Sequence, residues 1–173
     1  MQKLTTTLIL LFFFQFAVSQ NETVDKMKAQ VSEMIDQISD RDTFTLTIFK
    51  DNMVPIELLR KSADALELGM SEENKAIVKS IKRADYNKLL KEDHDAIMAE
   101  ANKHNINWKK IKFVDLLYKS KGLFKLSQPG FECLLIFKDK TQKDILFTLR
   151  VDFIMLGTDP YILEMDDLKK QLK

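Results

Sequence analysis

The sequence predicts an α+β domain, with N-terminal helices packed on one face of a curved antiparallel sheet of about four strands. Three observations carry this. Apolar residues recur at steps of three and four through the first half of the chain and at steps of two through the second. The period changes at "NKHNIN", residues 102–107. No internal repeat, low-complexity tract or linker divides the chain. Helices followed by strands is the order in which helices segregate to one face of an antiparallel sheet.

The first element is not part of that domain. "MQKLTTTLILLFFFQFAVSQ" sets Lys3 ahead of a continuous apolar run, Leu8 to Phe14, which Phe16 to Val18 extend. Ala17 and Ser19 then supply small residues, so residues 1–19 read as a secretory signal peptide cut between Ser19 and Gln20. The run is shorter than the ~20 residues of a spanning helix, and no cysteine stands at the cut for a lipid anchor. The expectation is an exported, periplasmic or secreted chain with a single domain over residues 20–173 and no membrane span. Once Lys3 is removed, 26 basic residues balance 26 acidic ones. A neutral exported domain has no field to hold nucleic acid. Cys133 is the sole cysteine, so no internal disulfide forms and the core alone must hold the fold. Its place in an apolar alternation predicts a buried, inert thiol.

Val24, Met27, Val31, Met34 and Ile38 make one stripe of a helix over about residues 23–39. "SDRD" breaks it. Phe44, Leu46 and Ile48 alternate with threonines, which suits either a short strand or a helical start. Pro55 opens a helix carrying Ile56, Leu59, Ala63 and Leu66, with Gly69 at its C′ position. Ser71 caps the next, with Glu72 and Glu73 in the first turn. That helix is expected to reach about residue 103, as one piece or as two joined near Lys91–Asp95. Ile77, Ile81, Ala84, Leu89, Ile97 and Ala101 form its inner side.

In the first strand Ile111 and Phe113 share one face, and Val114, Leu116 and Tyr118 the other. That change of face predicts a bulge or strong bend. Phe131, Cys133, Leu135 and Phe137 alternate in the second strand, and "KDKTQKD" is a polar hairpin. Ile145, Phe147, Leu149, Val151, Phe153 and Met155 form an unbroken apolar face in the third. After the turn "GTDP", residues 161–165 make a last strand and "DDLKKQLK" trails off polar.

Two stretches carry a family likeness: "LELGMSEENKAIVKSIK" and "NINWKKIKFVDLLYKSKG". Over about residues 43–165 the chain resembles the cystatin-like and nuclear-transport-factor-2-like cone fold. More narrowly, it is similar to a family of uncharacterised exported proteins of the Bacteroidota. It departs from that pattern in "LGTDPYILEMDD", where a Trp or Tyr beside a Gly-Lys turn is expected. The resemblance implies a fold and an exported location, and no defined activity.

Catalytic motifs are sparse. No HExxH, EF-hand loop, GxSxG or phosphate-cradling glycine cluster occurs. His94 lies between Asp93 and Asp95, which do not share its helix face, and reads as solvated surface. Glu100 and His104 share a face but fall short of a zinc site. Glu164, Asp166 and Asp167 read as a solvated strand exit, and Asn21-Glu22-Thr23 as a chance glycosylation match. No metal or cofactor is expected. Through the fold resemblance, a cone can host proton transfer between a buried acid and a tyrosine: Asp152 or Asp115 as base, Tyr118 or Tyr86 as donor. Such a domain would be a small isomerase- or dehydratase-type enzyme. The favoured expectation is a non-catalytic module that holds a small apolar ligand, or docks an envelope protein, with Trp108, Phe113, Phe147 and Phe153 lining a pocket or the core. The lysines at 109, 110 and 112 are then the wet side of a strand entry.

Overall fold

The computed structural model describes residues 22–64, 71–121 and 130–172. The signal-peptide segment and Gly69 lie outside these residues. Among the described residues, five helices pack against a curved, unclosed four-stranded antiparallel sheet, so the predicted fold class holds.

Helix α1 covers residues 22–40 and buries the predicted stripe, Val24, Met27, Val31, Met34 and Ile38, together with Ile35. Asp42 takes a φ of 58° in the turn that follows; among non-glycine residues Asp and Asn enter this region most readily. The next segment resolves as helix. The Thr45 side chain accepts a hydrogen bond from Ile48 N and so caps α2, Leu46–Asn52. Met53 then turns extended and forms a parallel bridge with Ile162 of the last strand, and Val54 N donates to Ile162 O at 2.8 Å. Pro55 precedes α3, Ile56–Ala63.

Ser71 caps α4, Glu72–Ser80, by accepting from Asn74 N, as its sequence predicts. The long helical segment is two helices, and the junction is not near Lys91–Asp95. Ile81 and Lys82 are extended, and α5 runs Arg83–Lys103. The Arg60 guanidinium donates to Ile81 O, which holds that carbonyl outside any helical ladder. The break resets the helical phase. Ile77, Ala84 and Leu89 are exposed, and the buried row of α5 is Leu90, His94, Ile97 and Ala101.

After a 3₁₀ turn at Trp108–Lys110, strands β1 (Ile111–Lys121), β2 (Gly130–Asp139), β3 (Ile145–Leu156) and β4 (Asp159–Leu172) pair in sequence order. The β1–β2 register shifts between Phe113 and Asp115, which makes Val114 the bulged residue. The bulge returns Leu116 to the core-facing side, opposite Leu135, instead of leaving it with Val114. Gly157 has a φ of 68° at the first central position of the two-residue β3–β4 turn, where a side chain would be strained. β4 continues through residues that read as a polar tail. Its register shifts twice, and Asp167 has a φ of 57°. Ile162, Met165 and Leu168 are therefore all buried at three-residue spacing, a period that neither a regular strand nor an α-helix produces.

The main core lies between α1, α2, α5 and the inner row of the sheet. Phe44, Trp108, Phe137 and Phe147 form a chain of rings with successive centroids 5.6, 6.3 and 5.5 Å apart. Each such ring contributes about 2–3 kcal/mol by burial. Along β3, Phe153 joins this core while its neighbour Ile154 joins a second, smaller cluster with Val54, Ile56, Leu59 and Ala63.

Candidate functional site

The extended link between α2 and α3 lies beside β4, and the first turns of α5 face it. Tyr86 of α5 donates its hydroxyl to Val54 O at 2.6 Å. Burial pushes the Tyr86 phenol up to about 12, so it stays protonated and this donor remains committed to the link. Between link and helix runs an open groove of about 660 Å³. Met53, Val54, Tyr86 and Leu90 supply its apolar surface; Lys50, Asp51 and Asn87 stand along it. At one end Glu57 accepts from Arg83 Nε and Nη2, at 2.9 and 2.7 Å, and these bonds hold the Glu57 carboxyl below its usual range. The groove can take an apolar side chain beside charged or amide-bearing neighbours.

The residues singled out for proton transfer do not converge. Asp115 pairs with Lys28 Nζ at 2.8 Å on a half-exposed surface, and that lysine lowers its carboxyl pKa, the reverse of what a general base needs. Asp152 is buried, in register with Glu132 and Glu164, on the sheet face opposite Phe153. Tyr118 lies on the core-facing side, opposite Cys133 and edge-on to Phe131, with 43% of its surface exposed. The sheet therefore separates Tyr118 from Asp152. Trp108, Phe147 and Phe153 are buried in the ring-filled core, and Phe113 is half-buried against it. Cys133 is buried, and burial raises its thiol to about 12.

Two functional-grade side chains escaped the sequence reading. His94 is buried, not solvated: its ring meets Phe44 and Phe49 edge-on with centroids 5.7 Å away, and its Nε2 lies 2.7 Å from Phe44 O. The flanking acids disguised it. Asp139, in the polar hairpin, is 1% exposed. His104 does sit 3.2 Å from Glu100, as the spacing implies. Among the described residues no group of three His, Cys, Asp or Glu side chains is arranged to hold a metal. Nor, among them, is any helix long and apolar enough to cross a membrane.

Acids crowd where α5 meets β4. Arg150 Nη2 reaches Glu164 Oε1 at 2.8 Å and Asp166 Oδ2 at 2.7 Å. Asp93 of α5 faces the same two acids. Burial first, and their charges second, raise its pKa. A carboxyl raised in the folded state stabilises fully below its unfolded pKa, and that stability is lost as pH rises through the folded value. Asp93→Asn is therefore expected to stabilise the protein at pH 7 by about 0.5 kcal/mol, a figure discounted for solvent screening. Thermal unfolding at pH 7 and pH 3 checks this: the gain should vanish at the lower pH.

No known family, curated protein or solved structure matches this chain.

Proposed function

We propose that this protein is an exported, non-catalytic interaction module of the cell envelope, and that the groove between the α2–α3 link and α5 takes a short segment of a partner protein. The observation that carries this reading is the groove's make-up. Apolar side chains from Met53 to Leu90 lie within reach of Lys50, Asp51, Asn87 and the Glu57–Arg83 pair. Its volume falls within the ~300–1,000 Å³ of ligand sites, and its exposed rim suits a peptide more than an enclosed metabolite. Wall and rim are held rigidly, because the Met53–Ile162 bridge and the Tyr86–Val54 hydrogen bond pin the link at both sides. The location rests on the leader-like N-terminus.

Peptide display against the immobilised protein tests the reading, with Asn87→Trp as counter-selection. Asn87 is exposed, so the bulky ring fills the groove without entering the core. Peptides pairing an apolar anchor with a charge should be retained by the wild type and lost at least about tenfold by the variant. A display that yields no such peptide sinks the groove. The intact mass of the protein recovered from its host should start at Gln20.

A further inference from the structure

Among the described residues β1 ends the sheet: it pairs with β2 on one side, and no other described strand is in register with it. Open strand edges recruit further strands unless they are short, bent or charged. β1 is eleven residues long, and beyond its bulge at Val114 a regular stretch runs from Asp115 to Lys121. It carries Val114, Leu117 and Tyr118, exposed by 43, 52 and 43%, which are three of the five large exposed apolar side chains among the described residues. Lys119 stands beside them, in register with Glu132 of β2.

The charges on this edge fit a second copy of the same edge. When two identical strands pair antiparallel, the two-fold axis must pass through one residue, because opposed side chains share a face. With the axis at Leu117, that leucine meets its own copy, Leu116 meets Tyr118, and Asp115 meets Lys119 on both sides. A shift of one residue either way sets Leu117 against Asp115 or against Lys119. One register thus joins an apolar centre to opposite charges at both flanks. Asp115 is prepared for it. Its two hydrogen bonds, from Lys28 Nζ and from Leu116 N, both fall on Oδ1, and a carboxylate has lone pairs for a further donor on Oδ2.

We infer that β1 is the contact between two copies of this chain, paired antiparallel about Leu117 into one continuous sheet. This stands apart from the proposed groove, which lies beside β4 at the opposite edge, so either can fail alone.

Sedimentation velocity on the purified protein, as its host processes it, tests the inference at up to about 100 µM. The expected result is a dimer mass. Asp115→Lys and Lys119→Glu each set like charges together twice and should weaken association at least about tenfold. An equimolar mixture of these two variants, or the double variant, restores opposite charges at both flanks and should restore the dimer. Circular dichroism confirms that each variant is folded. A monomer throughout the concentration range overturns the inference, and so does a strand from another protein binding β1 while the pure chain stays monomeric. Single variants that associate like the wild type, or a mixture no tighter than its components, overturn it equally.

Discussion

Asp139→Ala is expected to lower the stability of the protein by about 3 kcal/mol. Asp139 ends β2 and is 1% exposed. Its Oδ2 accepts from Asn107 N at 2.8 Å, and its Oδ1 accepts from Thr141 N and Thr141 Oγ1 at 2.8 and 2.7 Å. Gln142 Nε2 donates to the carbonyls of His104 and Asn105, at 3.0 and 3.1 Å. One carboxylate therefore ties the β2–β3 hairpin to the passage from α5 into β1. Truncation leaves two backbone amides without an acceptor, and each buried donor so stranded costs about 1–3 kcal/mol. Asp139→Asn keeps one acceptor oxygen but turns an amide NH₂ toward donors, so about half that loss is expected.

The pH dependence follows from the same contacts. Burial raises the Asp139 carboxyl, but the hydrogen bonds from Asn107, Thr141 and Gln142 outweigh it and hold the pKa below its ordinary value. Its stabilisation is thus full above the unfolded carboxylate pKa of ~3.9 and is lost as pH falls through the lower folded value. Urea unfolding at pH 7 and in acid should show the gap between wild type and Asp139→Ala closing in acid. A gap that widens in acid removes the network from the account.

The second large effect is His94→Ala, with a loss of about 4 kcal/mol expected. The ring sits between Phe44 and Phe49, and a carbonyl can only accept, so Nε2 carries the proton it gives to Phe44 O. Alanine opens a cavity and strands that carbonyl. His94→Phe refills the volume but not the hydrogen bond, and should cost only about 1–2 kcal/mol. Fluorescence of Trp108, the sole tryptophan, reports the transition directly, since its ring lies 5.6 Å from Phe44. Equal losses for the two variants would mean that the hydrogen bond, and not the packing, holds this corner.

The elements that were legible in the sequence are those whose burial follows an unbroken period. Helix α1 and the β3 row from Phe147 to Met155 are of this kind. The bulge at Val114 was legible because it interrupts a clear alternation. β4 was not, because two register shifts spread Ile162, Met165 and Leu168 at a spacing that matches neither a strand nor an α-helix. The α4–α5 break was hidden for a different reason. It contains no proline or glycine, and Arg60, twenty-one residues away, captures the Ile81 carbonyl. The candidate groove could not be read at all, since its walls, the α2–α3 link and α5, meet only through partners distant in sequence, such as Tyr86 with Val54 and Arg83 with Glu57. Buried polar residues such as His94 and Asp139 carry the same letters as solvated ones, and only their partners tell them apart.

That Met53–Ile162 bridge also has a consequence in time. The α2–α3 link gains its backbone partner only when the last strand is in place, and the small cluster that α3 builds needs Ile154 as well. Helix α1 can form from local contacts, but the core its apolar stripe covers is shared with α5 and the sheet. Contacts between distant parts of a chain form slowly, because the loop must close before the contact rewards it. The packing of α2 and α3 therefore depends on strands made late in the chain, and a chain stopped short of β4 is expected to lose helical signal in circular dichroism beyond the loss of that strand itself.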